Sequence, residues 1–194
     1  MCFNEAASWS AFAIGSALSI FNLLKYRQAP QIITTLYWAQ PILMQLLEAL
    51  AYRGVDCKRI TTAAFLLNVA QPLLLLCVLY LFRVGSLLLP TIAVALYLLH
   101  VFTTVSVRDL KCILVDGKTR LTWWSDEKGV SLRIISYLLA SVVTLAAIPK
   151  YGATNVHTLI LSFVLSWAVY EGQNVGSVWC FFSSFVPVAF SLMF

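Results

Sequence analysis

Charge is what this sequence has least of. Asp, Glu, Lys and Arg make up 11% of its 194 residues, hydrophobic residues make up 61%, and the mean hydropathy is +0.87. An ordinary soluble domain is about 25% charged, so that class is excluded. Long polar stretches are missing too, which leaves no room for a soluble domain beside the apolar runs. The five cysteines (Cys2, Cys57, Cys77, Cys112, Cys180) show no C-x-x-C or Cys/His ligand spacing. That argues against a disulfide framework and a structural zinc site. No H-E-x-x-H, no TVGYG-like filter and no Arg-rich helix occurs, and the last apolar run has no lysine for a retinal Schiff base. Neither histidine is placed to serve the serine of "GSVW", which weakens a serine hydrolase. No metal and no cofactor is expected.

What the chain does have is apolar length. A helix needs roughly 20 apolar residues to cross a bilayer, and about seven such runs fill the sequence, at 6–24, 31–52, 60–82, 87–107, 131–148, 155–170 and 176–194. The expected fold is therefore all-α, one polytopic integral membrane domain over 1–194, a bundle of about seven transmembrane helices. The first run lacks a basic leader and a clear cleavage site, so it reads as a retained helix. In the long fourth connection, Asp116-Gly117 between "KCILV" and "TRLTWW" signals a hairpin, with Trp123 and Trp124 suited to the headgroup level. The net charge of +5 needs only lipid headgroups, and no nucleic acid, to explain it. With seven spans, nine Lys and Arg residues fall on the N-terminal side and four on the other, which places the N-terminus in the cytosol. Which membrane holds the protein is left open.

The polar residues inside the runs carry the functional reading. On the second run, Tyr37, Pro41, Gln45, Glu48 and Tyr52 recur at spacings of three and four and share one helical face. An ionised carboxylate there costs about 2.5–3.5 kcal/mol, and intramembrane carboxylates mark ion and proton pathways. The alternative for Glu48 and Gln45 is a buried polar clamp between helices. Pro41 and Pro72 each free a backbone carbonyl, those of Tyr37 and Asn68, which a polar cavity would satisfy. Asn4 is suited to cap the first helix, with Glu5 in its first turn. Ala11, Gly15 and Ser19 form a small-residue stripe of the kind found at close helix contacts. His100, on an apolar helix without a second ligand at i+4, is more readily a core histidine than a metal ligand or base.

Three stretches, "MCFNEAAS", "QLLEAL" at 45–50 and "GSVWCFF" at 176–182, carry a resemblance. The chain resembles a family of uncharacterised small polytopic membrane proteins of bacteria and large DNA viruses. Its members open with MCFS, hold Gln-x-x-Glu in the second span and end with Gly-Ser-Leu/Val-Trp-Cys-Phe. The likeness covers the two ends rather than the middle, and Asn4 stands where the family has Ser. It implies that Cys2, Gln45, Glu48, Trp179 and Cys180 belong together, and it brings no activity.

The resulting expectation is a small channel or transporter-like protein with a cytosol-facing polar cavity centred on Glu48, supported by Gln45 and Gln40. Gln71, Asn68 and His100 line its deeper part. Cys2, Asn4, Glu171, Asn174, Trp179 and Cys180 stand at its mouth. The partners are the bilayer, a small ion or polar solute, and a second copy of the chain. Two other classes stand beside it: a structural membrane component, for instance of a virion, and a membrane enzyme using Cys2 or Cys180 as nucleophile with Glu48 or Glu171 as base. Cys2 has three readings: a nucleophile exposed by loss of Met1, an acylated thiol, or a small buried hydrophobe.

Overall fold

The computed structural model describes residues 4–54, 56–104, 112–115, 118–121, 130–169 and 175–193. Among them are eight helices and one hairpin: α1 (Glu5–Lys25), α2 (Ala29–Tyr52), α3 (Cys57–Phe82), α4 (Leu88–Thr104), β1 (Cys112–Val115), β2 (Lys118–Leu121), α5 (Val130–Ala146), α6 (Gly152–Val169), α7 (Val175–Ser183) and α8 (Val186–Met193). The chain is helical apart from the hairpin, which lies where Asp116-Gly117 predicts it. There β1 and β2 run antiparallel, with Cys112 opposite Leu121 and Val115 opposite Lys118.

Local chemistry sets the helix ends. The Asn4 side chain accepts from the Ala7 amide at 2.8 Å and caps α1 as expected. Pro30 sits in the first turn of α2, where a missing amide costs nothing. Asp56 caps α3 by accepting from the Lys58 and Arg59 amides. At the far end of α3 the chain turns through Arg83 (φ 53°) and Gly85 (φ 76°). Gly85 lies directly against the Ala147 carbonyl, so only a residue without Cβ seats the α3–α4 turn on the end of α5. Pro41 and Pro72 stand inside α2 and α3, which continue through them.

α2 is the central helix. It packs against α1, α3, α7 and α8, while α5 packs against α3, α4 and α6, and α6 against α7. Leu43 is the one exposed residue of α2. The interior combines large apolar groups such as Trp38, Leu79 and Leu159 with many polar ones, including Thr34, Gln45, Glu48, Gln71, Ser141, Asn155 and Ser166. The outside is apolar, with Leu81 78%, Leu88 70%, Phe102 66% and Leu192 84% exposed. Two helical segments are long and apolar enough to cross a membrane, Glu5–Lys25 and Lys58–Phe82; those at Leu88–Thr104, Leu132–Ala146 and Val178–Leu192 are apolar but shorter.

The last apolar run differs from the single helix expected over 176–194. The ladder gives way at Ser184 and Phe185, and Pro187, in the first turn of α8, has no amide to carry it on. α1 crosses this break. A Cβ on Gly15 would lie 2.7 Å from the Ser184 carbonyl oxygen and 2.8 Å from Ile42 Cγ1. Asn22 Nδ2 donates to the Pro187 carbonyl at 3.1 Å, and the Tyr26 hydroxyl donates to that of Ser191 at 3.2 Å. The small-residue stripe is thus a close helix contact, and α1 uses its polar side chains to satisfy the broken helix.

Candidate functional site

The polar face of α2 makes a buried seam. At 1.5 Å per residue, Gln31 to Glu48 covers about 26 Å, close to the ~30 Å of a hydrocarbon core. Gln31, Thr34, Tyr37, Gln45 and Glu48 are buried along this face, while Thr35 and Gln40 are buried on other sides of the helix. Three regions follow one another.

At one end are Glu48, 2% exposed, and Gln45, fully buried. The Glu48 carboxylate lies within electrostatic reach of the Cys180 thiol on α7. Cys180 and Trp179, expected at a cavity mouth, are each 2% exposed and belong to the core. The reason is pairing: Trp179 Nε1 donates to Ser162 Oγ of α6 at 2.9 Å, and its ring meets Tyr137 edge-on at 5.8 Å.

In the middle, hydroxyls converge from three helices. The Tyr37 hydroxyl lies beside Ser141 and Tyr137 of α5 without closing a well-formed hydrogen bond to Ser141. Tyr137 donates to Gln71 Oε1 of α3, and Tyr97 of α4 stacks edge-on against Tyr137 at 6.0 Å. Gln71 Nε2 and Ser141 Oγ are buried without a hydrogen-bond partner among the described residues. A polar solute or a proton entering the seam would find both donors and acceptors here.

At the opposite end, Asn155 of α6 ties the bundle together. Its Oδ1 accepts from Trp38 Nε1 at 2.8 Å, and its Nδ2 donates to Thr34 Oγ1 and to the Tyr151 carbonyl, each at 2.9 Å. Asn155→Leu keeps the volume and strands the Trp38 N–H and the Thr34 hydroxyl. Each stranded buried group costs about 1–3 kcal/mol, and thermal melting with tryptophan emission is the check. A variant melting with the wild type would show that the Asn155 hydrogen bonds do not hold this end of the bundle together.

The remaining predicted residues divide. Gln40 is buried on α2, and its Oε1 has no hydrogen-bond partner among the described residues. Asn68 is buried on α3, one turn from Gln71. His100 is half-buried on α4, one turn beyond Tyr97, with its carbonyl accepting from Thr103 and Thr104. Asn4 is exposed at the start of α1. Cys2, Glu171 and Asn174 lie outside the described residues, as do Trp123 and Trp124. Tyr137, Ser141, Asn155 and Ser162 were not singled out from the sequence. The spacing of Tyr137, Ser141 and Thr144, at i, i+4 and i+7 on α5, was the available signal.

At the N-terminal end of α1, Glu5 Oε1 accepts from Arg53 Nε at 2.7 Å and from Trp9 Nε1 at 3.2 Å. The Arg53 hydrogen bond holds the Glu5 carboxyl below its ordinary value. A depressed carboxyl stabilises the fold above the ordinary carboxylate range, and that contribution is lost as pH falls through the folded value. No family model, curated protein or solved structure matches this chain.

Proposed function

We propose that this is a multi-pass membrane protein of the transport class, in which Glu48 is the proton-carrying group of a seam through the bundle. Its inverted surface supports the membrane part. Monomeric soluble proteins rarely expose large contiguous apolar patches, whereas here α1, α3, α4, α5 and α6 all present large exposed apolar side chains and the polar groups are inside. α7 and α8 together supply the seventh span, and the excess of cations on one side favours a cytosolic N-terminus.

The observation that carries the functional part is Glu48 at 2% exposure in a buried polar seam about 26 Å long. A proton suits it best. Protonation makes a buried carboxyl neutral and removes its desolvation penalty, while a bare cation would need further anionic oxygens. Gln45 lies one turn before the carboxyl on α2 and Gln40 about two turns before it, and Tyr37, Tyr137, Gln71 and Ser141 offer the next polar stations. Because the described residues enclose Glu48, the arrangement fits an occluded state, with the cytosol-facing cavity reached by rearrangement. The nearness of Glu48 to Cys180 supports the grouping that the family resemblance implies.

The test is proton flux into liposomes by wild-type and Glu48→Gln protein, with thermal melting measured on the same samples. A flux that ignores the substitution, with a lowered melting temperature, would make Glu48 a structural clamp.

A further inference from the structure

We propose that the aqueous end of α1 and α2 binds the headgroup of a zwitterionic phospholipid bearing a primary amine, the phosphoethanolamine class. The proposal rests on α1 lying in a bilayer, as read above, and not on the chemistry of Glu48. A shallow open depression of about 470 Å³ is lined by Asn4, Glu5, Ala6 and Trp9. Arg53 stands at its edge, bound to Glu5 and with its guanidinium carbon 4.9 Å from the centre of the Trp9 ring.

Two opposite charges are held there with four of the five guanidinium N–H donors and one carboxylate oxygen unused among the described residues. Arg53 spends only Nε on Glu5, and neither of its terminal nitrogens has a hydrogen-bond partner among the described residues. Glu5 Oε1 takes both Arg53 and Trp9, while Oε2 accepts nothing among them. The Nε bond and the Trp9 ring beside the guanidinium carbon hold the group near Glu5, and its planar fork is what phosphate recognition uses. A phosphate on that fork places an amine, one ethylene linker away, toward Glu5 Oε2. The pair is neutral overall, so it has no bias toward net-anionic lipids. A glycerol headgroup brings no cation to Glu5, and a choline brings one that cannot donate a hydrogen bond.

The rest of the lipid has somewhere to lie. From Ala6 in the depression, the exposed side of α1 runs through Ser10, Ala13 and Ala17 to Phe21 and Leu24. Small residues over the first turns leave a shallow lane for an acyl chain, and Trp9 sits where interfacial tryptophans favour the headgroup level.

The test measures binding of phosphatidylethanolamine, phosphatidylglycerol and phosphatidylcholine to the purified full chain in detergent by native mass spectrometry. Wild type should favour the ethanolamine lipid over each of the others by about tenfold, the worth of one charge-assisted hydrogen bond. Glu5→Gln retains the Oε1 acceptor for Arg53 and Trp9, and it should erase that preference while leaving phosphate binding. Arg53→Gln should weaken all three lipids; if it fails to fold, Glu5→Gln alone decides. Equal binding of the three lipids to wild type, or a preference that survives Glu5→Gln, overturns the proposal. Carbonate extraction of membranes separates this failure from the larger one. A chain that stays in the pellet without lipid preference loses only the headgroup site, whereas a chain that is released loses the membrane reading as well.

Discussion

Liposomes carrying Glu48→Gln protein should pass protons at least about tenfold more slowly than wild type, a barrier increase of about 1.4 kcal/mol, while the variant melts at the wild-type temperature or above. The second half of that expectation discriminates. Glutamine reproduces the shape and one acceptor of glutamate but cannot ionise, so a carboxylate retained only for transport is a burden on the fold. Where the carboxyl is ionised at that depth it costs about 2.5–3.5 kcal/mol, which glutamine removes; where it is protonated, glutamine matches it in charge and leaves the melt unchanged. A carboxylate retained as a structural partner behaves in the opposite way, because breaking a buried pair is destabilising. Flux and melting temperature therefore move in different combinations under the two readings, and two measurements on one sample separate them. Gln45, fully buried one turn away, supplies the control: Gln45→Leu should lower stability, and any effect on flux should be smaller than that of Glu48→Gln.

Gly15→Leu should undock α1. The position of a Cβ at residue 15 is 2.7 Å from a backbone oxygen, that of Ser184, and 2.8 Å from Ile42 Cγ1. Ile42 can change rotamer; the Ser184 carbonyl belongs to a helix break and has no such freedom. Gly15→Ala alone should cost about 1–3 kcal/mol, the usual range for overpacking. Leucine leaves no room for α1 at all, so the Asn22 to Pro187 and Tyr26 to Ser191 hydrogen bonds should go with it. Loss of the cooperative melt, with faster proteolysis of the N-terminal segment, is the expected readout. Ala17→Leu, on the exposed side of the same helix, is the matched control and should be near neutral. If Gly15→Leu melts like that control, the close approach of α1 to the break is not part of the native contact.

What could be read from the sequence was local. Apolar runs located the helices, Asp116-Gly117 located the hairpin, and Asn4 and the Ala11-Gly15-Ser19 stripe were recognisable because a cap or a close contact is written within one or two turns. The α2 face was legible for the same reason, through its recurrence at three and four residues. The partners of that face were not, because they come from far along the chain: Trp38 meets Asn155, and Tyr37 meets Ser141. Trp179 and Cys180 show why. Next to a polar connection they look like residues at an opening, and only the packing of α7 against α2 and α6 turns them inward. The break at Ser184 was also hidden, since Pro187 alone does not say whether a helix kinks or stops.

The burial of α2 also constrains the order of assembly. In a chain inserted into a membrane as proposed, this helix leaves the ribosome before the groups that surround its polar face: Gln71 from α3, Tyr137 and Ser141 from α5, Asn155 from α6 and Cys180 from α7. Until then Glu48 and Gln45 have no interior to enter and must stay wet or protonated near the insertion machinery. Chains truncated before α5 should therefore be held at the translocon or degraded, and α2 should settle into its final place only when the C-terminal half closes around it.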